Sequence, residues 1–265
     1  MENIDLLIIP TNLLYAYKES FDIASKQNFE QLQDSELSIS TFSFYTSVSV
    51  VFSSKIEGEP IEIDSYIKHK RFGAHFKPDY TQKIDDLYDA YLFAQQNQIN
   101  KKNLLSAHAQ LTKHILIPSQ QGKFRTGNMF VVTASGKIEY VAALPNQVTD
   151  EMQKLFTDIE TLLNVHMAFA EVLYFASMLH LVLAKIHPFE DGNGRISRLL
   201  EKWFISQKLG AKAWFISSEK NYYEQHQNYY QNLRCLGLEY EELDYNQALP
   251  FLKMLPQSLK TDTVD

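Results

Sequence analysis

The chain is poor in cysteine and in basic charge, and it has no long uninterrupted hydrophobic run. One cysteine, Cys235, among 265 residues excludes an internal disulfide framework and fits a reducing compartment, so we expect a cytoplasmic protein. The 25 Lys and Arg residues against 32 Asp and Glu give a net charge of −7. This acidic balance disfavours direct nucleic-acid binding, including a role as a DNA-binding regulator.

Targeting and membrane signals are also weak. The N-terminal sequence MENIDLLIIP has no basic region and only a short apolar run, so we expect no signal peptide. The longest apolar run, 172–184, is interrupted by Ser177 and His180 and is too short to cross a bilayer. It predicts a core helix and a protein without membrane association.

The apolar pattern is typical of a mainly α-helical protein. Apolar residues make up 45% of the chain and charged residues 22%, as in an ordinary globular protein of one large or two small domains. For the segment 38–56 a strand is an alternative, because β-branched residues are common there. Residues at helical spacing predict helices over 11–27, 38–56, 77–97, 101–117, 147–165, 172–186, the segment from Gly194 to Gly210, and 245–256.

One segment departs from the helical pattern. Met129, Phe130, Val131, Val132 and Thr133 form one β-type run, and 138–141 form another. The turn-forming sequence ASGK separates the two runs, so we predict a β-hairpin.

The sequence HPFEDGNGRISR, residues 187–198, concentrates polar chemistry in a short stretch between two helical segments. Gly192, Asn193 and Gly194 open the second helix, where glycines allow close approach of a ligand and the first N–H groups have no internal partner. Because the helix dipole is positive at this end, the stretch predicts an anion site, most naturally for phosphate.

The charged residues around this site suit phosphate chemistry. Arg195 and Arg198 are three residues apart, so both lie on one helix face and can bind phosphate oxygens. Asp191 supplies a hard oxygen ligand where a phosphate-bridging Mg²⁺ is expected. His187 is titratable near working pH and can act as a base. Together these groups indicate transfer of a phosphate-containing group to a hydroxyl.

Each of these features has a structural interpretation when taken alone. A GNG sequence is commonly a turn and helix cap, a His before Pro is commonly structural, and an arginine pair is commonly a solvated face. Their joint occurrence favours a functional site, because the structural interpretations do not predict one another. Five of the other histidines, His69, His75, His108, His114 and His180, have no metal-ligand spacing and are expected on the surface or in the core.

The sequence 187–198 matches, position for position, the signature HPF-x-[D/E]-G-N-G-R-x-x-R, and the chain therefore resembles the Fic family. The resemblance implies a helical bundle with a small β-hairpin flap, and transfer of AMP from ATP to a Tyr, Thr or Ser hydroxyl of a target protein. It implies that His187 is the base, that Asp191 holds Mg²⁺ and that Asn193 contacts the α-phosphate. The backbone of Gly192 and Gly194 would bind phosphates, with Arg195 on the β-phosphate and Arg198 on the γ-phosphate. Phe189 would be a buried anchor of the loop.

A second motif resembles the inhibitory sequence of Fic proteins, [S/T]-x-x-x-E-[G/N]. It comprises Ser53, Glu57 and Gly58, and its N-terminal position resembles the class in which an inhibitory helix precedes the Fic core. The resemblance implies that Glu57 pairs with Arg198 and blocks the γ-phosphate position. A solvated helix end is the alternative.

Two further segments resemble parts of the family. Met129, Phe130, Val131 and Val132 would belong to the flap that positions a target, and the sequence GKFR, ending at Arg125, resembles the segment before it. After the hairpin this chain has Ala142-Ala143-Leu144-Pro145 where many members carry consecutive prolines. Tyr229 belongs to a segment that resembles the wall of the adenine pocket, although an aromatic residue at helical spacing is equally typical of a core.

The resulting hypothesis divides the chain into an N-terminal helical region, 1–100, a Fic core, 101–257, and a flexible tail, 258–265. The predicted function is AMP transfer restrained by Glu57, with ATP as substrate and Mg²⁺ as cofactor. The expected acceptor is a target protein, and the enzyme itself is one candidate target. A homodimer is compatible with this class. Removal of AMP, or transfer of another phosphate-linked group, is one alternative, and a non-catalytic nucleotide-binding regulatory module is a second.

Overall fold

The structure is a computed structural model that describes residues 4–132 and 138–260. It is 62% helical with one small antiparallel sheet, which confirms the predicted mainly α-helical fold with a hairpin. The helices of the first half are α1 (Leu14–Glu19), α2 (Ala24–Gln31), α3 (Phe44–Ile56), α4 (Ile63–Phe72), α5 (Pro78–Gln96) and α6 (Lys101–Leu111). After strands β1 (Phe130–Val132) and β2 (Ile138–Val141) come α7 (Pro145–Asn164), α8 (Phe169–Ile186), α9 (Asn193–Leu209), α10 (Ser218–Glu224), α11 (His226–Arg234), α12 (Leu249–Leu252) and α13 (Met254–Gln257).

Helix α8 is the central element of the bundle. Its 18 residues are apolar enough to cross a membrane by length and composition, but 83% of them are buried inside the protein. It packs most closely against α9 and also contacts α7 and α1. At its start, Glu171 accepts a hydrogen bond from Ala168 N at 2.8 Å and one from Lys18 Nζ at 2.8 Å. The helix is therefore a core helix, and the polar stretch 187–198 follows directly after its C-terminal end.

Helix α9 carries the apolar stripe that the sequence predicted. Ile196, Leu199, Leu200, Trp203 and Phe204 are all fully buried. Because these residues recur on one face, they pack the helix against α8. The first turn of the helix lies at the polar site.

Helix α3 begins at a serine cap and contradicts the strand alternative. Ser43 Oγ accepts a hydrogen bond from Thr46 N at 3.2 Å, which satisfies one free N–H of the first turn. The helix packs against α5 and α10.

One hydrophobic core includes Ile9 near one terminus and Leu259 near the other. This core does not divide at residue 100, and the predicted boundary there remains a prediction.

The hairpin is short and attached to the bundle at its base. Phe130 pairs with Val141 and Val131 with Tyr140, and the register shifts between Val131 and Val132. Residues 133–137, at the predicted turn, lie outside the described residues. Val141 N donates to Leu238 O at 2.8 Å, so β2 is held by the segment after α11.

Some helix ends differ from the prediction because side-chain contacts at those positions, one local and one distant, accompany the ends. The predicted helix 11–27 is two helices, and Asp22 Oδ1 accepts a hydrogen bond from Ala24 N at 2.9 Å where the second begins. The predicted helix 101–117 ends at Leu111, and His114 N donates to Asp86 Oδ2 of α5 at 2.9 Å.

The predicted helix 245–256 is likewise broken. It consists of a 3₁₀ turn, Tyr245–Gln247, followed by α12 and α13. Pro250 lies in the first turn of α12 and Pro256 lies in α13, and proline removes the N–H that a longer helix would need. In the predicted tail 258–265, Leu259 is buried in the core and 261–265 lie outside the described residues.

Candidate active site

His187 ends α8 in a left-handed backbone conformation. Its φ is 52°, the one positive value at a non-glycine position within residues 4–132 and 138–260. Such a conformation is unfavourable for a residue with a Cβ and is found disproportionately at functional sites. The ring Nδ1 lies 3.2 Å from Ala184 O, so Nδ1–H donates to that carbonyl and Nε2 is left to accept a proton.

The environment keeps His187 neutral. Burial lowers the pKa of His187; the Ala184 carbonyl acts in the opposite direction, and the nearby Arg125 guanidinium lowers the pKa further. A neutral imidazole at neutral pH is the form that a general base requires.

Arg125 holds the loop in place from the side of the hairpin. Its Nε donates to His187 O at 2.7 Å, and its Nη1 donates to Gly127 O at 2.8 Å. Its Nη2 donates to Ala143 O at 2.5 Å, and its backbone N donates to Pro188 O at 2.9 Å. This buried guanidinium therefore connects the segments on both sides of the hairpin to the end of α8. The sequence indicated Arg125 only as part of GKFR, and its role was missed.

Phe189 is fully buried and anchors the loop, as expected. Its ring stacks on His108 of α6, with centroids 3.6 Å apart. Gly122 N donates to His108 Nδ1 at 3.0 Å, so Nε2 carries the proton and donates to Asp191 O at 2.9 Å. Burial lowers the pKa of His108 to about 4, which keeps this bridging tautomer neutral. His108 is therefore a core residue that positions the loop, a role that its spacing could not indicate.

The glycine nest lies at the N-terminus of α9. Gly192 precedes the helix with a φ of 83°, and a Cβ there would lie 2.9 Å from both Leu111 Cδ1 and Thr112 Cγ2. Asn193 accepts a hydrogen bond from Phe189 N at 2.9 Å and donates one to Phe189 O at 2.8 Å. The side chain of Asn193 therefore closes the loop on itself, and its predicted contact with the α-phosphate remains a prediction.

Arg195 lies beside this nest and has unused hydrogen-bonding capacity. Its Nη1 is buried and has no hydrogen-bond partner within the described residues. Nη1 lies 3.7 Å from Asp191 Oδ1, and Nη2 lies 3.9 Å from Glu59 Oε1, and both distances are too long for hydrogen bonds. A buried, unsatisfied guanidinium N–H at a helix N-terminus suits an oxyanion such as phosphate.

Asp191 is the acidic group at the edge of the nest. Its side chain is 55% exposed, and its Oδ1 accepts a hydrogen bond from Gly192 N. No group of three or more His, Cys, Asp or Glu side chains forms a metal cage in the described part of the chain. A single accessible carboxylate beside an anion site fits Mg²⁺, which takes its other ligands from phosphate and water.

Arg198 is 1% exposed and is paired with the N-terminal motif. Its Nη2 lies 2.6 Å from Glu57 Oε1 and 3.0 Å from Ser53 O, and its Nε donates to Ser53 Oγ at 2.9 Å. Glu57 follows the last turn of α3, and Gly58 then takes a φ of 87° that turns the chain away. A Cβ at Gly194 would collide with the Glu57 carboxylate and lie 3.1 Å from Arg198 Nη1.

Charge complementarity is strong in this pair. Burial alone would raise the pKa of Glu57, but Arg198 and then Arg195 oppose it and hold the pKa below its usual value. In the same way, burial would lower the pKa of Arg198, and the Glu57 carboxylate keeps the pKa raised. The pair is therefore fully ionised at neutral pH.

Tyr229 belongs both to the core and to the site. Its hydroxyl accepts a hydrogen bond from Arg198 Nη1 at 3.4 Å and lies 3.0 Å from His180 Nε2. His180 Nδ1 lies 2.9 Å from Glu201 Oε2, which also accepts from Tyr222 OH at 2.9 Å. Burial raises the pKa of Tyr229 to about 12, so it stays a hydroxyl. His180 is a satisfied core histidine, as predicted, and it connects Tyr229 to a buried carboxylate.

Of the site residues, Glu57, His187, Gly194, Arg198 and Tyr229 line one cavity of about 160 Å³. Its lining does not include Asp191, Gly192, Asn193 or Arg195. Val131 of the hairpin lies on the cavity wall. Phe130 and Val132, on either side of it, are exposed. Met129 O accepts a hydrogen bond from Ala142 N at 3.1 Å, which ties the start of the hairpin to its end. A larger cavity of about 740 Å³ lies between α7 and the start of α6, away from this chemistry. The cavity wall comprises Glu57, Val131, Glu139, Tyr140, Ala184, Lys185, His187, Gly194, Arg198, Tyr229, Tyr230, Leu233 and Arg234.

Known proteins provide an independent comparison. Residues 98–205 match the model of the Fic/DOC family. The protein adenylyltransferase Fic of Aedes aegypti is 34% identical over 113 residues, which are 42% of this chain and 20% of that protein. The chain therefore covers only about a fifth of the length of this relative.

Solved structures share the architecture across almost the whole chain. A Fic family protein from Desulfovibrio desulfuricans G20 has a TM-score of 0.68 at 18% identity, covering 97% of this chain and 73% of that one. A Fic domain containing signaling protein from Bacteroides thetaiotaomicron has a TM-score of 0.66 at 17% identity, covering 93% and 91%. At such identities these neighbours show the fold alone. Residues 98–205 are therefore similar to the Fic/DOC family, in agreement with the signature at 187–198 and with relatives that match over about two fifths of the chain.

Proposed function

We propose that the protein transfers AMP from ATP to a Tyr, Thr or Ser hydroxyl of a target protein, with itself as one target. The observation that carries the proposal is the meeting of a neutral buried base, His187, with Arg198 and the Gly194 backbone on one cavity. The relative from Aedes aegypti, named a protein adenylyltransferase, supports the same class of reaction.

In the proposed mechanism, His187 Nε2 accepts the proton of the incoming hydroxyl as its oxygen attacks the α-phosphate. Arg125 and Ala184 support this step because they fix the imidazole and its carbonyl in one orientation. Arg195, whose Nη1 lacks a hydrogen bond, would bind an oxygen of the leaving pyrophosphate. Asp191 would hold Mg²⁺, which supplies neutralising charge for the phosphates when bound.

Glu57 would restrain the reaction. Its carboxylate lies 2.6 Å from Arg198 Nη2 and would occupy the position that the γ-phosphate needs. Because the γ-phosphate and the Glu57 carboxylate would compete for the same Nη2 donor and repel each other at close range, ATP binds in a reactive position only when Glu57 moves. Such a restraint is the one expected of the class with an N-terminal inhibitory helix.

The hairpin would position the target. Val131 lies on the cavity wall, and among residues 4–132 and 138–260 β1 pairs with β2 alone, so an extended target segment could pair along its other edge. Exposed Phe130 and Val132 offer apolar contacts for such a segment.

A second candidate is removal of AMP from a modified protein. It is favoured by one observation, the Glu57 carboxylate on the same cavity wall as His187. A carboxylate in that position could orient a water molecule for attack on the phosphate, and Glu57 would then be needed for activity rather than inhibitory.

The test is intact-mass analysis after incubation with ATP and Mg²⁺. We expect the Glu57→Gly variant to gain AMP on itself, and the adduct to disappear in the Glu57→Gly/His187→Ala double variant. Glu62→Gly is a matched control, since this glutamate also pairs with a cation, Lys55, at 3.0 Å but lies outside the cavity. It should behave like wild type.

The two candidates give opposite results. Absence of an adduct on a folded Glu57→Gly variant, with and without added candidate target protein, contradicts AMP transfer. Release of AMP from a modified protein by wild type but not by Glu57→Gly would instead support the second candidate.

A further inference from the structure

Lys185 is a largely buried cation that has no role in the proposed mechanism. It lies in the last turn of α8 and is 4% exposed. It lines the same cavity as His187, Gly194 and Arg198. Its Nζ lies 4.0 Å from the ring centroid of Tyr140, and within the described residues it makes no hydrogen bond or ion pair.

The comparison with Lys202 shows how unusual this is. Lys202, also buried, donates to Ser49 Oγ at 2.6 Å, Ile216 O at 2.7 Å and Glu219 Oε2 at 2.6 Å. An ammonium group has three donors, and removing it from most of the solvent without supplying protein acceptors is costly. Burial accordingly lowers the pKa of Lys185 to about 8. The ring of Tyr140 offsets only part of this cost, so the donors of Lys185 are available to a ligand in the cavity.

The wall around Lys185 suits a flat heteroaromatic ring. Tyr140, Tyr230 and Leu233 provide aromatic and apolar surface on the same cavity that carries Arg198 and the Gly194 backbone. Tyr140 is fixed in place because its hydroxyl donates to Lys185 O at 2.7 Å. Aromatic rings stack on such surfaces, and a few polar groups then set the orientation of the ligand.

We propose that Lys185 donates a hydrogen bond to an acceptor on the edge of the nucleotide base and so determines which base the enzyme takes. This inference rests on the proposed function, in which the cavity holds a nucleoside triphosphate. Ring nitrogens and ring carbonyls are the acceptors that fit, because an ammonium can donate but cannot accept. A base edge that presents only amino groups would offer no acceptor to Lys185 and would be disfavoured.

The test is calorimetric titration of the Glu57→Gly variant, in which the phosphate position is open, with ATP, GTP, CTP and UTP in the presence of Mg²⁺. Lys185→Met in this background keeps the aliphatic stem and removes the donor. We expect about tenfold or greater weakening for the preferred nucleotide, as for a lost hydrogen bond to a charged group, and smaller differences among the four. Lys185→Arg, which keeps a donor, should retain more of the preference.

Two controls isolate the base. Inorganic tripolyphosphate has the phosphates without the base, so Lys185→Met should leave its affinity unchanged. Lys154→Met, at a lysine that is 45% exposed and paired with Glu151 at 2.7 Å, should leave every affinity unchanged. Thermal melting of each variant verifies that it is folded.

The outcomes separate this inference from the proposed function. Nucleotide binding that Lys185→Met leaves unchanged overturns the inference alone, and so does an equal loss of affinity for tripolyphosphate. If the folded Glu57→Gly variant binds none of the four nucleotides, the proposed function is overturned and the inference with it.

Discussion

Replacing Gly192 with alanine is expected to lower the free energy of unfolding through two separate effects. The φ of 83° at Gly192 is unfavourable for a residue with a Cβ, which costs about 1–2 kcal/mol. The new Cβ would also lie 2.9 Å from Leu111 Cδ1 and Thr112 Cγ2, and such overpacking typically costs about 1–3 kcal/mol more. The total expected loss is about 2–5 kcal/mol.

Gly73→Ala is the matched control for this substitution. Gly73 has a similar φ of 68°, but nothing lies within 4 Å of an added Cβ. It should therefore show only the backbone effect, about 1–2 kcal/mol. The free energies come from urea unfolding followed by circular dichroism at pH 7. Equal losses for the two variants would refute the argument that the nest is closely packed against α6.

Two further predictions concern the packing beneath the loop. His108 has a pKa of about 4 in the fold against an ordinary 6.5, so the unfolded chain binds the proton first and stability is lost as pH falls from 6.5 towards 4. Urea unfolding across this range should show a shallower pH dependence for His108→Gln, and an unchanged dependence would contradict the assignment. Phe189→Ala should cost about 3–5 kcal/mol by the same assay. Phe124→Ala, at a partly buried ring 5.6 Å from Phe189, should cost less; the reverse order would count against Phe189 as the anchor.

The sequence was most informative where local chemistry determines the structure. The glycines at 192 and 194 predicted an N-terminal nest, and α9 begins between them at Asn193. The apolar stripe that includes Trp203 predicted the buried face of the same helix. Glu57 and Gly58 predicted a helix end, and Glu57 caps α3 there. In each case the residues that determine the feature are neighbours along the chain.

The sequence was uninformative where the partner is distant. Arg125 contacts the carbonyl of His187, 62 positions away, and His108 contacts that of Asp191, 83 positions away. Neither contact leaves a periodic pattern, since a carbonyl acceptor is present at every residue. The early end of α6 has the same origin, because His114 is bound by Asp86 of another helix. Lys185 resembled any lysine at a helix end until the fold showed that it is buried.

Burial explains why the proposed inhibitor and the proposed ligand can replace each other. Arg198 is 1% exposed, so removing its counter-charge without a replacement would leave an uncompensated buried cation. Ser53 and Tyr229 satisfy other donors of Arg198, but both are neutral and cannot balance its charge. Glu57 is the more accessible partner, with a side chain 27% exposed, and Gly58 follows it with no atom near its missing Cβ. Glu57 is therefore the partner with room to move, and an incoming phosphate is the kind of anion that can take its place. Under the proposed function, activation exchanges one anion for another on a fixed guanidinium and leaves the core intact.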